Sequence, residues 1–139
     1  SVAIEVGWFF TQGRWLPRMS LPAWLVLAAV LMALRMGITA SLASSLAVLV
    51  LAQALHAITF AAHHTVCIAW ISEHFPGRLR GRGQALYAVL GYGLPGVVGG
   101  LIGGLLSSAL GLASVFWLSS ACGAVAALCA LRVWWLRRG

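Results

Sequence analysis

Charge is what this sequence has least of. Only 8% of its 139 residues are Asp, Glu, Lys or Arg, against roughly a quarter in a soluble domain. There are two acids, Glu5 and Glu73, and all nine basic residues are arginine. With 62% hydrophobic residues and a mean hydropathy of +0.99, too little polar surface exists to coat a globule. A soluble enzyme finds no support, because no catalytic constellation lies outside the apolar segments. Cysteine is scarce too. Cys67, Cys122 and Cys129 are odd in number and sit inside apolar runs, which argues against a disulfide framework and for reduced, buried thiols. The net charge of +7 invites a nucleic-acid reading. That reading fails, because the arginines cluster between apolar runs instead of lining one solvated face. What remains is an all-α, polytopic transmembrane helix bundle, with the lipid bilayer as its solvent.

The apolar runs set the organisation. Val2 to Phe10 span about 15 Å as a helix, half a bilayer core, and no positive cluster precedes them, so they are no signal peptide. We read them as the end of a spanning helix in a longer protein. The expected helices cover about residues 1–12, 20–38, 42–71, 85–108 and 113–135 of a single transmembrane domain, 1–139. Gly13 and Pro17 break the first, uncharged turns follow the second and fourth, and a basic stretch, His74 to Gln84, separates the third from the fourth. Trp8 and Trp15 suit an interfacial belt.

Arg14, Arg18, Arg78, Arg80, Arg82, Arg132, Arg137 and Arg138 all fall on one side of this arrangement. The turns of the other side hold none, and only Arg35 lies nearer to it. The positive-inside rule then puts the arginine-bearing loops and the C-terminus in the cytoplasm of a multi-pass protein.

Gly91-Tyr-Gly93-Leu-Pro-Gly96 spells the dinucleotide-binding glycine pattern, which needs a preceding strand and a later acid. No acid follows Glu73, so no nucleotide cofactor is expected, nor any other. Gly96, Gly99, Gly100, Gly103 and Gly104 read instead as small-xxx-small steps that let a neighbouring helix approach closely. Pro95 should bend that helix.

In the third run, a rotation of about 100° per residue puts Gln53, His56, Phe60 and His64 on one stripe. His63 lies at its edge and Thr59 farther round. Polar groups in a membrane face a bundle interior or a wet cavity, or they bind neighbouring helices as structural glue; the sequence leaves both open. His63, His64 and Cys67 offer only part of a metal shell, so no metal site is expected. Glu5, an acid inside an apolar segment, is either a proton-coupling carboxyl or the partner of a residue elsewhere in the protein. Arg35 is expected to snorkel outward. Glu73, with Arg78, Arg80 and Arg82, forms either a cytoplasmic charge cluster that changes with conformation or an anchor for lipid phosphates.

These residues resemble a branch of the major facilitator superfamily, that of 3-phenylpropionic acid permease and the related nucleoside–proton symporters. Gln53-Ala-Leu-His56-Ala-Ile-Thr59-Phe60, with His64 one turn on, is similar to the tenth helix of that branch. Phe75-Pro76, Arg80-Gly81, Gly83-Gln84-Ala85-Leu86-Tyr87, Tyr92-Gly93 and the glycine ladder are similar to the loop and helix that follow. Glu5 and Arg35 match positions occupied in the helices before. The stretch Gly13-Arg-Trp-Leu-Pro-Arg18 departs from the superfamily's acidic–basic loop motif by lacking its aspartate, which leaves that loop's role as a latch unsupported.

The resemblance implies the last third of a transporter, from the end of helix eight to helix twelve, in a bacterial-type inner membrane. It implies that the third helix here lines the central cavity while the second and fifth are scaffold. It further implies proton-coupled symport of a small organic solute, with an aromatic carboxylate as the candidate, by alternating access between these helices and the N-terminal helices of the same protein. Gln53, His56, His64 and Glu5 would serve the solute and proton pathway, and histidine suits that role because its reference pKa lies near physiological pH. The alternative is a non-transporting membrane bundle that serves assembly or anchoring.

Overall fold

In lipid the backbone has no water to bond, so an apolar run must satisfy its own amides and carbonyls by coiling into a helix. The computed structural model describes residues 2–139, and it is all helical in just this way. Its helices are α1 (Val2–Trp15), α2 (Leu21–Leu42), α3 (Leu46–His74), α4 (Arg80–Ala88), α5 (Leu94–Leu110) and α6 (Leu112–Leu136). Short 3₁₀ turns cover Leu16–Arg18 and Gly77–Leu79, and a π turn, Val89–Gly93, joins α4 to α5. Four stretches are long and apolar enough to cross a membrane: Leu21–Leu42, Leu46–His74, Gly77–Leu110 and Leu112–Leu136. At 1.5 Å per residue the shortest is about 33 Å, just over a bilayer core, and the 29 residues of α3 reach about 43 Å.

Local chemistry marks the ends. Ser20 caps α2 by accepting from the Ala23 amide at 3.4 Å, with Pro22 in the first turn, where its missing N–H costs nothing. Gly111 has φ of +86°, a conformation open to glycine without a Cβ clash. It turns α5 directly into α6.

The core is built from small residues. Ala28, Ala52, Ala57, Ala61, Ala62 and Val66 are buried, while Leu46, Leu105, Leu110 and Leu128 point outward. This is the pattern of helix association in lipid, where close backbone approach replaces the hydrophobic drive. Helix α2 lies between α3 and α6, α1 rests on α3, and α5 lies beside α6. The α2–α6 seam is the tightest. A Cβ on Gly123 would sit 3.0 Å from the Ala33 backbone, and Ser120 Oγ donates to the Ala33 carbonyl at 2.7 Å. On the other side, Trp8 ties α1 down: its Nε1 donates to Thr65 Oγ1 at 3.4 Å, and its ring meets Trp24 edge to face at 5.8 Å.

Two features differ from the reading of the sequence, each for a physical reason. The stretch after Pro76 turns helical from Gly77 instead of remaining a loop to Gln84. Gly83 is buried where a Cβ would come within 2.8 Å of Phe75 and 2.9 Å of Ile71. Its role is close packing of α4 on the end of α3. Arg35 does not snorkel. It is 7% exposed, and its Nη2 donates to Met32 Sδ at 3.0 Å, because α2 is covered by α3 and α6 along this face.

Of the glycine ladder, only Gly103 meets a neighbour, Val115 at 3.6 Å from a built Cβ. Around Gly96, Gly99, Gly100 and Gly104 nothing among the described residues lies within 4 Å of such an atom.

Candidate functional site

Residues four apart in a helix stand above one another, and α3 uses this to build a ring stack. Phe60 lies between two histidines, with centroids 5.9 Å from His56 and 6.0 Å from His64. Next to the stack, α2, α3, the α4–α5 helix and α6 enclose an open cavity of about 520 Å³. Its wall is mostly apolar, including Met32 and Phe60, and its polar groups include His56, His63, Tyr87 and Tyr92. A few polar groups in an apolar concavity is the usual composition of a small-molecule site.

His56 Nδ1 is buried with no hydrogen-bond partner among the described residues, and so is Arg35 Nε. Buried polar atoms are almost always paired, so these two call for an explanation. Glu5 on α1 is half-buried. Arg35 stands one contact behind the cavity wall, since Met32, which accepts from it, lines the cavity. Glu5, Arg35 and His56 thus stand on three neighbouring helices, α1, α2 and α3.

The π turn supplies the opposite wall. Pro95 has no amide, and its ring would collide with the carbonyl four residues earlier in a regular helix. The turn widens just ahead of it, and the Leu94 amide donates to Val89 O, five residues back. In an α-helix, residues five apart diverge by about 140°; an i→i+5 turn stacks them. So Tyr87 and Tyr92 come onto one face, with hydroxyls 3.0 Å apart and rings edge to face at 5.3 Å. Tyr92 Oη also lies 3.4 Å from His64 Nδ1.

Of the residues expected in a pathway, His56 lines this cavity. His64 does not, but it stacks on Phe60 and reaches Tyr92. Gln53 is exposed and stands apart from the cavity wall. His63 lines the wall, with Cys67 Sγ 3.7 Å from its Nε2. No group of three or more His, Cys, Asp or Glu side chains among the described residues is arranged to hold a metal.

A family model described as the MFS_1 like family matches residues 1–118. The chain belongs to this family of the major facilitator superfamily. The match runs from α1 into α6, so it includes every residue of the site just described except those on the last part of α6. No curated protein and no solved structure matches the chain. Membership in a major facilitator family makes this a transporter-family membrane protein, and the four crossing helices fit that class.

The arginine-bearing end of this transporter-family chain has its own structure. The start of α2 and the ends of α3 and α6 surround a hollow of about 460 Å³ that includes Ser20, Glu73, Trp134, Arg137 and Arg138. Arg137 lies over Trp70 at 4.5 Å and donates to His74 Nε2 at 3.3 Å, while Arg138 covers Trp134 at 4.1 Å. His74 Nδ1 meets the Trp70 carbonyl at 2.9 Å, so that nitrogen carries the proton and Nε2 is free to accept. Glu73 lines the same hollow as Arg137 and Arg138. Arg78, Arg80 and Arg82 are exposed and stand outside the hollow.

Proposed function

We propose that the chain is part of a proton-coupled symporter of a small organic solute, working by alternating access together with further transmembrane helices of the same protein. One observation carries the reading: His56, whose buried Nδ1 has no hydrogen-bond partner among the described residues, stands in the cavity wall. Ionisable groups inside a membrane are costly and mark ion and substrate pathways. His56 is the candidate carrier, as an imidazole changes charge near physiological pH. Glu5 is the candidate coupling acid.

An aromatic carboxylate is the solute class the wall suits best. Phe60, Tyr87 and Tyr92 offer ring faces and edges for stacking. Arg35, unpaired at Nε behind the pliable Met32 side chain, offers a guanidinium to a carboxylate. Gln53 and His64 extend the polar stripe above and below. In this reading the arginine-bearing end faces the cytoplasm of a bacterial-type inner membrane, and Glu73 with Arg137 and Arg138 forms a charge cluster at that gate, with Arg78, Arg80 and Arg82 beside it.

The test is accumulation of 3-phenylpropionate by proteoliposomes holding the full-length protein under an imposed proton gradient. The reading expects uptake that collapses when a protonophore removes the gradient. Uptake that ignores the gradient would refute the coupling, and none at all would refute the solute class.

A further inference from the structure

His64 presents a connection problem. It lies on the same helix stripe as His56, yet it does not line the cavity, and the Phe60 ring stands between the two imidazoles. Its hydrogen-bond contact with another side chain among the described residues is Tyr92 Oη at 3.4 Å. Tyr92 in turn meets Tyr87 Oη at 3.0 Å, and both tyrosines line the cavity. His63, another cavity residue, has Cys67 Sγ 3.7 Å from its Nε2.

We propose that Tyr92 and Tyr87 form a proton relay joining His64 to the cavity. The inference rests on the proton-coupled reading above and assigns it a route. A hydroxyl can accept one hydrogen bond while donating another, so a proton can pass without any group changing its net charge for long. The imidazolium of His64 gives its Nδ1 proton to Tyr92 Oη as the Tyr92 proton passes to Tyr87 Oη. The Tyr87 proton then passes to water in the cavity. One N–H and two O–H bonds break, three O–H bonds form, and His64 is left neutral. The reverse sequence loads it.

The π turn is what makes the route exist. In an uninterrupted α-helix the two tyrosines would point about 140° apart, and His64 would have no hydroxyl chain beside it. The other charged groups on elements packed against α3 are Glu5 and Arg14 on α1, Arg35 on α2, and Arg80 and Arg82 on α4. The titratable groups on this part of α3 itself are His56, His63 and Cys67.

The experiment is nitrogen-15 NMR of the histidine rings in the full-length protein in nanodiscs, comparing wild type with Tyr92→Phe and Tyr87→Phe. It needs no solute, so its failure is separable from failure of the transport reading. Tyr92→Phe is expected to shift the His64 Nδ1 resonance and slow its ring proton exchange with water by roughly ten-fold or more. Tyr87→Phe should leave the Nδ1 shift close to wild type but slow exchange similarly, since it cuts the chain one link further out. His56 exchange should be unaffected in both. Wild-type exchange at His64 in both variants would overturn the relay. So would equal slowing at His56, which signals a general change in structure.

Discussion

Arg35 is a guanidinium held in a helix interface with a methionine sulfur as its side-chain partner. Burying a charge without a counter-ion opposes stability, so its retention needs a functional reason. Arg35→Met should therefore leave unfolding in detergent unchanged or raise its midpoint, while 3-phenylpropionate uptake is lost. A drop in stability equal to the loss of uptake would mean that Arg35 is structural. The α2–α6 seam should behave in the opposite way. Gly123→Ala pushes a methyl against the Ala33 backbone and should cost about 1–3 kcal/mol, and Ser120→Ala about 0.6 kcal/mol, both read by chemical unfolding. These residues differ in how readily the sequence discloses them. His56 is visible in the helical stripe because the stripe is a property of α3 alone. The burial of Arg35 is not, because it depends on which helices cover α2. The same holds for Gly123, whose purpose is a close approach from Ala33 on α2, an element distant in sequence, and for Gly83, which closes on the end of the preceding helix.

Helix α3 and the helix from Gly77 to Leu110 form two of the cavity's four walls, and the π turn is the device that matches them. Pro95→Ala restores an amide and removes the ring clash, so Val89–Gly93 should relax toward regular α geometry. Tyr92 would then rotate away from Tyr87 and His64. The expected readout is the His64 nitrogen signature of Tyr92→Phe, produced without touching any member of the relay; a wild-type signature would mean the turn is held by something other than Pro95. A bend at Pro95 can be read from the chain, but the pairing of Tyr87 with Tyr92 cannot. Any search by the 3.6-residue period assigns them to different faces, and only the added residue in the turn brings them together. The crossing helices themselves are plain in the hydropathy, whereas their ends lie a few residues from where it places them: α2 runs on to Leu42.

At the scale of the whole molecule, the cavity is open and most of the glycine ladder faces no described residue. If further helices of the transporter pack there, Gly100→Leu should destabilise the full-length protein, with a lower unfolding midpoint. A change of comparable bulk at an outward position, Leu105→Ala, would have little effect. Equal tolerance at both sites would mean that lipid, not protein, covers the ladder. Solute and proton meet, in this reading, at the level of Glu5, Arg35 and His56. The most direct test is proton-gradient-driven accumulation of 3-phenylpropionate in proteoliposomes of the full-length protein, wild type against His56→Ala, across a range of external pH. Loss of gradient-driven uptake and of its pH dependence, in a variant that still folds, is the expected result. Uptake and pH dependence equal to wild type would contradict it.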